Sequence, residues 1–185
     1  IRVDWDDISI ETLLEADKEA SQWTFNIPSL RRKIEGISGG HLIMIGARPN
    51  TGKTSFHASL IAGPDGFAHQ GAKCIVLCNE ESYERVGARY LTAATNMTMD
   101  EVHGNISLAT ERYAAVKRNV WIKDCTSKTL SWVEAVVKHE KPDVVVLDMG
   151  DKFASKTSDK TDVYLKEAAT HARNIAKQYN LSLIH

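Results

Sequence analysis

One loop of the sequence has residue types that could bind the phosphates of a nucleotide. The segment IGARPNTGKTSF, residues 45–56, ends its loop with Gly52, Lys53 and Thr54. In such loops backbone N–H groups wrap phosphate oxygens, the lysine reaches the outer phosphates, and the hydroxyl binds Mg²⁺. The usual motif opens with glycine, but Ala47 is nearly as small and should still allow the turn. The predicted nucleotide-binding residues are Ala47, Arg48, Pro49, Asn50, Thr51, Gly52, Lys53, Thr54 and Ser55.

Two apolar segments end in carboxylates that could turn a bound nucleotide into a substrate. Residues 144–147 are followed by Asp148, which would hold a metal ion at the carboxyl edge of a parallel sheet. Residues 74–79 are followed by Glu80 and Glu81. If the two strands are neighbours, Glu80 is the better candidate for the base that takes a proton from the attacking water. Both glutamates could instead be acids that stabilise the start of a helix.

Short apolar segments alternate with helical patterns from residue 39 onward. Predicted strands cover residues 41–46, 73–79, 120–123, 144–148 and 181–184, and predicted helices begin at 53 and cover 82–95, 130–140 and 163–179. Strands that are apolar throughout are typical of sheets covered on both faces. The sequence therefore predicts an α/β fold, with a mainly parallel sheet and crossover helices on both faces.

The pattern of the first thirty residues predicts a structural unit separate from the α/β core. Many acidic residues, together with Ile10, Leu13 and Leu14 at helical spacing, indicate an amphipathic helix from about residue 9 to residue 22. This helix could lie on the surface of its own domain or dock on a neighbouring subunit. We therefore expect residues 1–30 to form an N-terminal arm and residues 31–185 to form the core.

Composition limits the possible classes of function only weakly. The 185 residues suit one globular domain with a short appendage, and 23 basic against 24 acidic residues give no overall attraction to nucleic acid. The sequence has no apolar run of about eighteen residues that would predict a membrane span. The three cysteines lack zinc-site spacing, so buried free thiols are expected. The chain starts at Ile1 and stops inside a predicted strand at His185, so we expect an incomplete core.

The motifs together resemble the RecA-like ATPase domain of DnaB-type replicative helicases, especially those of phages. The segment GARPNTGKTSF resembles that family's phosphate loop, which makes the Ala-Arg-Pro sequence a family feature. The segment CNEESYERVGAR, residues 78–89, resembles the next motif and places Glu80, Ser82 and Arg89 on family positions. VVVLD at 144–148 resembles the metal-binding strand, and residues 165–185 resemble the helix and strand that follow it.

The resemblance implies a RecA-like P-loop NTPase fold and the motor core of a hexameric helicase that moves on single-stranded DNA and unwinds duplex. It implies catalytic roles for Glu80, as general base, and for Lys53, on the phosphates of ATP. It also implies that Thr54 binds Mg²⁺ and that Asp148 holds the metal through water. Implied partners are further copies of the chain, single-stranded DNA and a primase, in the cytoplasm of a bacterial host. The sensor residue, the arginine finger and most DNA-binding loops would follow His185.

One polar loop could contact DNA. Residues 149–162 carry Lys152, Lys156 and Lys160 at four-residue spacing, with serines and threonines between them, which suits phosphate contacts without base preference. Three aspartates in the same stretch offset the charge, so a solvated loop is equally compatible with the sequence.

Other functions share parts of this pattern. A RecA- or RadA-like recombinase or a clock-type ring ATPase would have the same loop and carboxylates. A non-catalytic, nucleotide-gated assembly module would not need Glu80 as a base. A small-molecule kinase is less compatible, because such enzymes usually lack the extra strand that ends in glutamate.

Overall fold

The computed structural model describes residues 9–12, 21–48, 50–148 and 161–185, without the side chains of residues 161–165. The strands are β1 (Trp23–Thr24), β2 (Gly36–Ile37), β3 (Leu42–Ile43), β4 (Cys74–Cys78), β5 (Val120–Asp124), β6 (Val144–Asp148) and β7 (Ser182–Ile184). The helices are α1 (Pro28–Ile34), α2 (Lys53–Ala62), α3 (Tyr83–Thr95), α4 (Met99–Gly104), α5 (Ile106–Lys117), α6 (Leu130–Glu140) and α7 (Thr161–Gln178).

Five of the described strands form one parallel sheet in the order β3-β7-β6-β4-β5. In this sheet Cys78 is in register with Asp124 on one side and with Asp148 on the other. β1 and β2 form a separate antiparallel pair. Helices connect the successive strands of the large sheet, as parallel pairing requires. The predicted α/β fold with a mainly parallel sheet is therefore confirmed.

Alternating side chains of the central strands divide the interior into two cores. In β4, Cys74, Val76 and Cys78 pack into the core that contains residues of α2 and α3, whereas Ile75 and Leu77 pack into the core with residues of α6 and α7. The same alternation holds in β6, because successive side chains of a strand point to opposite faces. Asp148 shares its parity with Val144 and Val146 and therefore belongs to the face covered by α2 and α3.

Several elements lie where the sequence patterns predict none. α1 is only seven residues long and begins with Pro28, a residue that suits the first helical position. α4 begins with a capping box between Thr98 and Glu101. α5 buries only Ala109 and Val116, so it lacks the broad apolar stripe by which a surface helix is recognised. Local signals, namely the proline at the start of α1 and the side-chain caps of α4 and α5, mark these segments rather than periodicity.

The strand that precedes the phosphate loop is shorter than the predicted 41–46. Regular pairing covers only Leu42–Ile43, although the N–H of Ile45 still donates to the carbonyl of His185 at 2.7 Å. The other predicted strands and helices agree with the structure to within two residues at each end. The phosphate loop therefore follows a strand at the predicted place in the sequence, but that strand is short.

The extent of the N-terminal arm stays a prediction. Residues 10–12 are helical, Ser21 and Gln22 are not, and residues 13–20 lie outside the described part of the chain. Docking of this helix on a neighbour and the boundary after residue 30 are likewise untested.

Within the described ranges, no helix has the length and apolar character needed to cross a bilayer. All three cysteines are free and buried, as predicted.

Candidate nucleotide-binding site

The loop between β3 and α2 has a backbone that only certain residues tolerate. Gly52 has φ 91°, in the left-handed region that favours glycine, and Asn50 has φ 60°. The N–H and the hydroxyl of Thr51 both donate to the carbonyl of Arg48, at 3.3 and 2.7 Å. After these turns the chain enters α2, and the N–H groups and dipole at the N-terminus of that helix favour the binding of an anion.

A cavity of about 370 Å³ opens beside this loop. Its lining consists of Ala47, Arg48, Asn50, Gly52, Lys53, Thr54, Ser55, Glu80, Glu81 and Arg89. Seven of the nine predicted nucleotide-binding residues therefore share one cavity with both candidate glutamates. Thr51 is not among the lining residues, because its polar groups turn back to Arg48. Pro49 lies outside the described residues.

Asp148 lies at the end of β6, next to the first turn of α2. Its Oδ1 is 2.9 Å from Nζ of Lys53, and its Oδ2 accepts a hydrogen bond from Oγ1 of Thr54 at 3.4 Å. The carboxylate is only 3% exposed. Burial raises its pKa, but the contacts with His57 and Lys53 outweigh that effect and hold the pKa at about 2. Asp148 is therefore an anion at neutral pH, and the structure brings it together with Lys53 and Thr54.

The two glutamates that follow β4 have different environments. Glu81 forms a bidentate ion pair with Arg89, in which Nη2 donates to Oε1 at 3.1 Å and Nη1 pairs with Oε2. This pairing lowers the pKa of Glu81. Glu80 is exposed, and within the described part of the chain it has no hydrogen-bond or ion-pair partner. The strand pairing on which its predicted role depends is present, because β4 and β6 are neighbours.

Two further residues of the site escaped the sequence reasoning. His57 on α2 is buried, and its Nε2 lies 3.8 Å from Oδ2 of Asp148. Its Nδ1 is 2.9 Å from the hydroxyl of Tyr90 on α3, which is also buried. His57 follows Lys53 by four residues and Thr54 by three, the spacings that place side chains on one helical face. That spacing is the signal that could have identified it.

The candidate DNA-contacting lysines Lys152, Lys156 and Lys160 lie outside the described residues. Their role stays a prediction.

A strand, a glycine-containing loop and a helix N-terminus, with an aspartate on a nearby strand of a parallel sheet, define a P-loop nucleotide-binding protein. Comparison with protein families agrees with this class. Residues 24–185 match the DnaB-like helicase C terminal domain. The chain therefore belongs to this family, which confirms the resemblance stated from the motifs, and the family implies nucleotide binding.

Solved structures show the same architecture. The chain is similar to a structure described as a DnaB-like replicative helicase and its interactions with primase, with a TM-score of 0.78 and 15% identity over 94% of this chain. It is also similar to the ATPase domain of G40P, with a TM-score of 0.75 and 15% identity over 97% of this chain. At this identity the likeness establishes the fold, and the predicted RecA-like fold is confirmed.

The chain spans 45% of the first of these proteins and 70% of the second. Among curated protein sequences, none matches this chain.

Proposed function

We propose that this chain is the ATP-hydrolysing motor core of a replicative DNA helicase. One observation carries the proposal. Lys53 and Thr54 contact Asp148 at the start of α2, and the strand next to that of Asp148 leads to Glu80, which lines the same cavity as Lys53 and Thr54. A protein that only bound nucleotide would need the first three residues but not a free carboxylate at this place.

The residues around Asp148 suit a magnesium nucleotide. Thr54 and Asp148 offer oxygen atoms, and Mg²⁺ is usually held by one or two such ligands together with waters and phosphates. When bound, the ion neutralises the charge that develops on the transferred phosphoryl group. Lys53 is placed to bind the outer phosphates, and the N–H groups at the start of α2 to bind their oxygens.

Glu80 is the proposed general base. Its carboxylate lines the cavity and is exposed, so it is free to accept a proton from an attacking water. Glu81 is less suited to that role, because both of its oxygens are engaged by Arg89. The proposed division is therefore that Glu80 activates water and Glu81 positions Arg89.

The proposed partners follow from the family. We propose that the full-length protein forms a hexameric ring around single-stranded DNA, with the loop that carries Lys152, Lys156 and Lys160 facing the strand. A primase is a further candidate partner, since one structural neighbour is described with its interactions with primase. A cytoplasmic location in a bacterial cell stays part of the same proposal.

The test measures ATP hydrolysis by the full-length protein with and without single-stranded DNA. Wild-type protein should hydrolyse ATP faster when DNA is present. Glu80→Gln should lower the rate about 10² to 10⁴-fold, because the amide cannot accept the proton, while the affinity for ATP is retained. Glu81→Gln is the matched comparison, since it is the adjacent residue in the same cavity, and it should lose far less activity than Glu80→Gln because it affects only the position of Arg89.

Two outcomes would contradict the proposal in different ways. Normal hydrolysis by Glu80→Gln would show that another group activates the water. Hydrolysis that is insensitive to DNA, together with no unwinding of a forked duplex, would favour a recombinase-like, clock-type or assembly ATPase of the same fold.

A further inference from the structure

The side chain of His57 has no direct access to a nucleotide but contacts the group that would face the metal ion. It lies one helical turn beyond Lys53, is 2% exposed, and is absent from the lining of the cavity. Its two ring nitrogens instead approach Asp148 and Tyr90, at 3.8 and 2.9 Å. Burial of a polar atom is costly unless it is hydrogen-bonded, and among the described residues the buried Nε2 has no partner at hydrogen-bond distance although it lies near Asp148.

The three residues link three elements of the site. His57 is on the helix that follows the phosphate loop, Tyr90 is on the helix that follows Glu80 and Glu81, and Asp148 ends the strand next to β4. The rings of His57 and Tyr90 lie 5.8 Å apart at an interplanar angle of 46°. The hydroxyl of Tyr90 is therefore hydrogen-bonded to one side of the imidazole, and the carboxylate of Asp148 lies near the other side at 3.8 Å.

With a neutral imidazole, the hydrogen-bonding capacities of the three groups allow one arrangement. Burial raises the pKa of Tyr90 well above its usual range, so the phenol keeps its proton and can donate it to Nδ1. Ionised Asp148 can only accept, so it requires the proton of the imidazole to be on Nε2. The Nε2–H then points toward Oδ2, and a movement of about 0.9 Å would bring it to a usual hydrogen-bond distance.

The other two neighbours of Asp148 have competing tasks. Lys53 and Thr54 both line the cavity, where the phosphates and the metal ion would engage them. Once they turn to the nucleotide, His57 is the remaining described side chain close enough to become a donor to Asp148 after a small movement. Donors that do not touch the metal ion themselves fix the orientation of a carboxylate that holds it.

We propose that His57, oriented by the hydroxyl of Tyr90, is a positioning residue that holds Asp148 in the orientation required for the magnesium nucleotide. This inference rests on the proposed nucleotide site, but it assigns a role to two residues that need not touch the nucleotide themselves.

The test uses the affinity of the full-length protein for a fluorescent ATP analogue, titrated with Mg²⁺ and repeated in EDTA. His57→Leu should raise the Mg²⁺ concentration needed for half-maximal tight binding about 10-fold and should leave the affinity in EDTA unchanged. Tyr90→Phe should shift the same Mg²⁺ titration in the same direction, but less. Tyr113→Phe, which removes the hydroxyl of a half-buried tyrosine packed against the same core, is the control and should bind Mg²⁺ nucleotide like wild type.

Two conservative variants separate orientation from packing. The amide nitrogen of His57→Gln can take the place of Nε2 and donate to Asp148, so this variant should restore most of the Mg²⁺ dependence. The shorter His57→Asn can replace only the contact with Tyr90 and should resemble His57→Leu. These variants also keep the test decisive if His57→Leu does not fold.

Equal Mg²⁺ titrations for wild type, His57→Asn and Tyr90→Phe would overturn the inference. Weaker binding of the same size with and without Mg²⁺ would also overturn it, because that result indicates a packing role. Failure of the proposed nucleotide site itself would look different, since the wild-type protein would then not bind the analogue at all.

Discussion

Lys53 and Asp148 form an ion pair, with 2.9 Å between Nζ and Oδ1, that joins the phosphate loop to the end of β6. The aspartate is buried, whereas the lysine side chain is 23% exposed and lines the cavity. The lysine is therefore already at the start of α2 before a nucleotide binds. On binding, its ammonium group can either contact Asp148 and a phosphate together or leave Asp148 for the phosphate.

The first prediction concerns the affinity for nucleotide. Lys53→Met should weaken binding of a fluorescent ATP analogue roughly 10- to 100-fold, because a hydrogen bond from a charged group contributes about 1.5 to 3 kcal/mol. Lys128→Met, which changes an exposed lysine that does not line the cavity, should bind like wild type. Unchanged affinity in Lys53→Met would remove this lysine from the phosphate site.

The second prediction concerns acid stability. The pKa of Asp148 is about 2 in the folded protein and about 3.9 in an unfolded chain, so its ionised form stabilises the fold above pH 4. That contribution, about 2.6 kcal/mol in total, is lost as the pH falls toward 2, and about 1 kcal/mol of it should be gone at pH 3. Chemical denaturation of wild type and Asp148→Asn at about pH 5 and pH 3 measures the effect.

The comparison with Asp148→Asn isolates the one carboxylate. The free energy of unfolding of wild type should fall by about 1 kcal/mol more than that of the variant over this range. Parallel pH profiles would show that Asp148 has an ordinary pKa in the folded protein.

The third prediction uses two glycines that differ in backbone conformation. Gly52 has φ 91°, whereas Gly87 lies within α3, and a Cβ at either position would meet nothing within 4 Å. Gly52→Ala should destabilise the nucleotide-free protein by about 1 kcal/mol or more, because the left-handed region is unfavourable for alanine. Gly87→Ala should stabilise it by up to about 1 kcal/mol, because alanine favours helix.

Urea denaturation without nucleotide measures both changes. Equal effects of the two substitutions would mean that the loop does not adopt the left-handed turn at Gly52.

The fourth prediction concerns the pair of Glu81 and Arg89. Both side chains are about one-third exposed, so their coupling should be modest despite the bidentate geometry. A double-mutant cycle with Glu81→Gln and Arg89→Gln should give about 0.5 to 1 kcal/mol in the free energy of unfolding, and less at about 1 M salt. A coupling energy near zero at low salt would show that Glu81 is as free as Glu80, and the choice of base would then rest on kinetics alone.

The fifth prediction concerns DNA. Replacement of Lys152, Lys156 and Lys160 by alanine should reduce the slope of log affinity for single-stranded DNA against log salt by about 2, since each phosphate contact contributes about 0.7. The control replaces three exposed lysines elsewhere, Lys117, Lys128 and Lys138, and should leave the slope unchanged. An unchanged slope in the first variant would assign its lysines to a solvated loop.

Much of the core could be predicted because the signals are local. The apolar segments of β4 and β6 predicted strands whose ends agree with the structure to within one residue, and the alternation of their side chains follows from the pleat of any strand. Helices α4 and α5 were missed because they bury few apolar residues, so periodicity does not mark them. β1 and β2 are two residues long and depend on each other for their hydrogen bonds.

The sequence by itself determined the chemistry of the phosphate loop, the parity that gives Asp148 the same face as Val146, and the parallel α/β class. Tertiary structure decided which strands are neighbours, that Arg89 engages Glu81 while Glu80 has no partner among the described residues, and that His57 lies between Tyr90 and Asp148. The reason is the range of the forces involved. Propensity, periodicity and turn chemistry act within a few residues, whereas Thr54 and Asp148 are 94 residues apart and meet only because the sheet and α2 pack together.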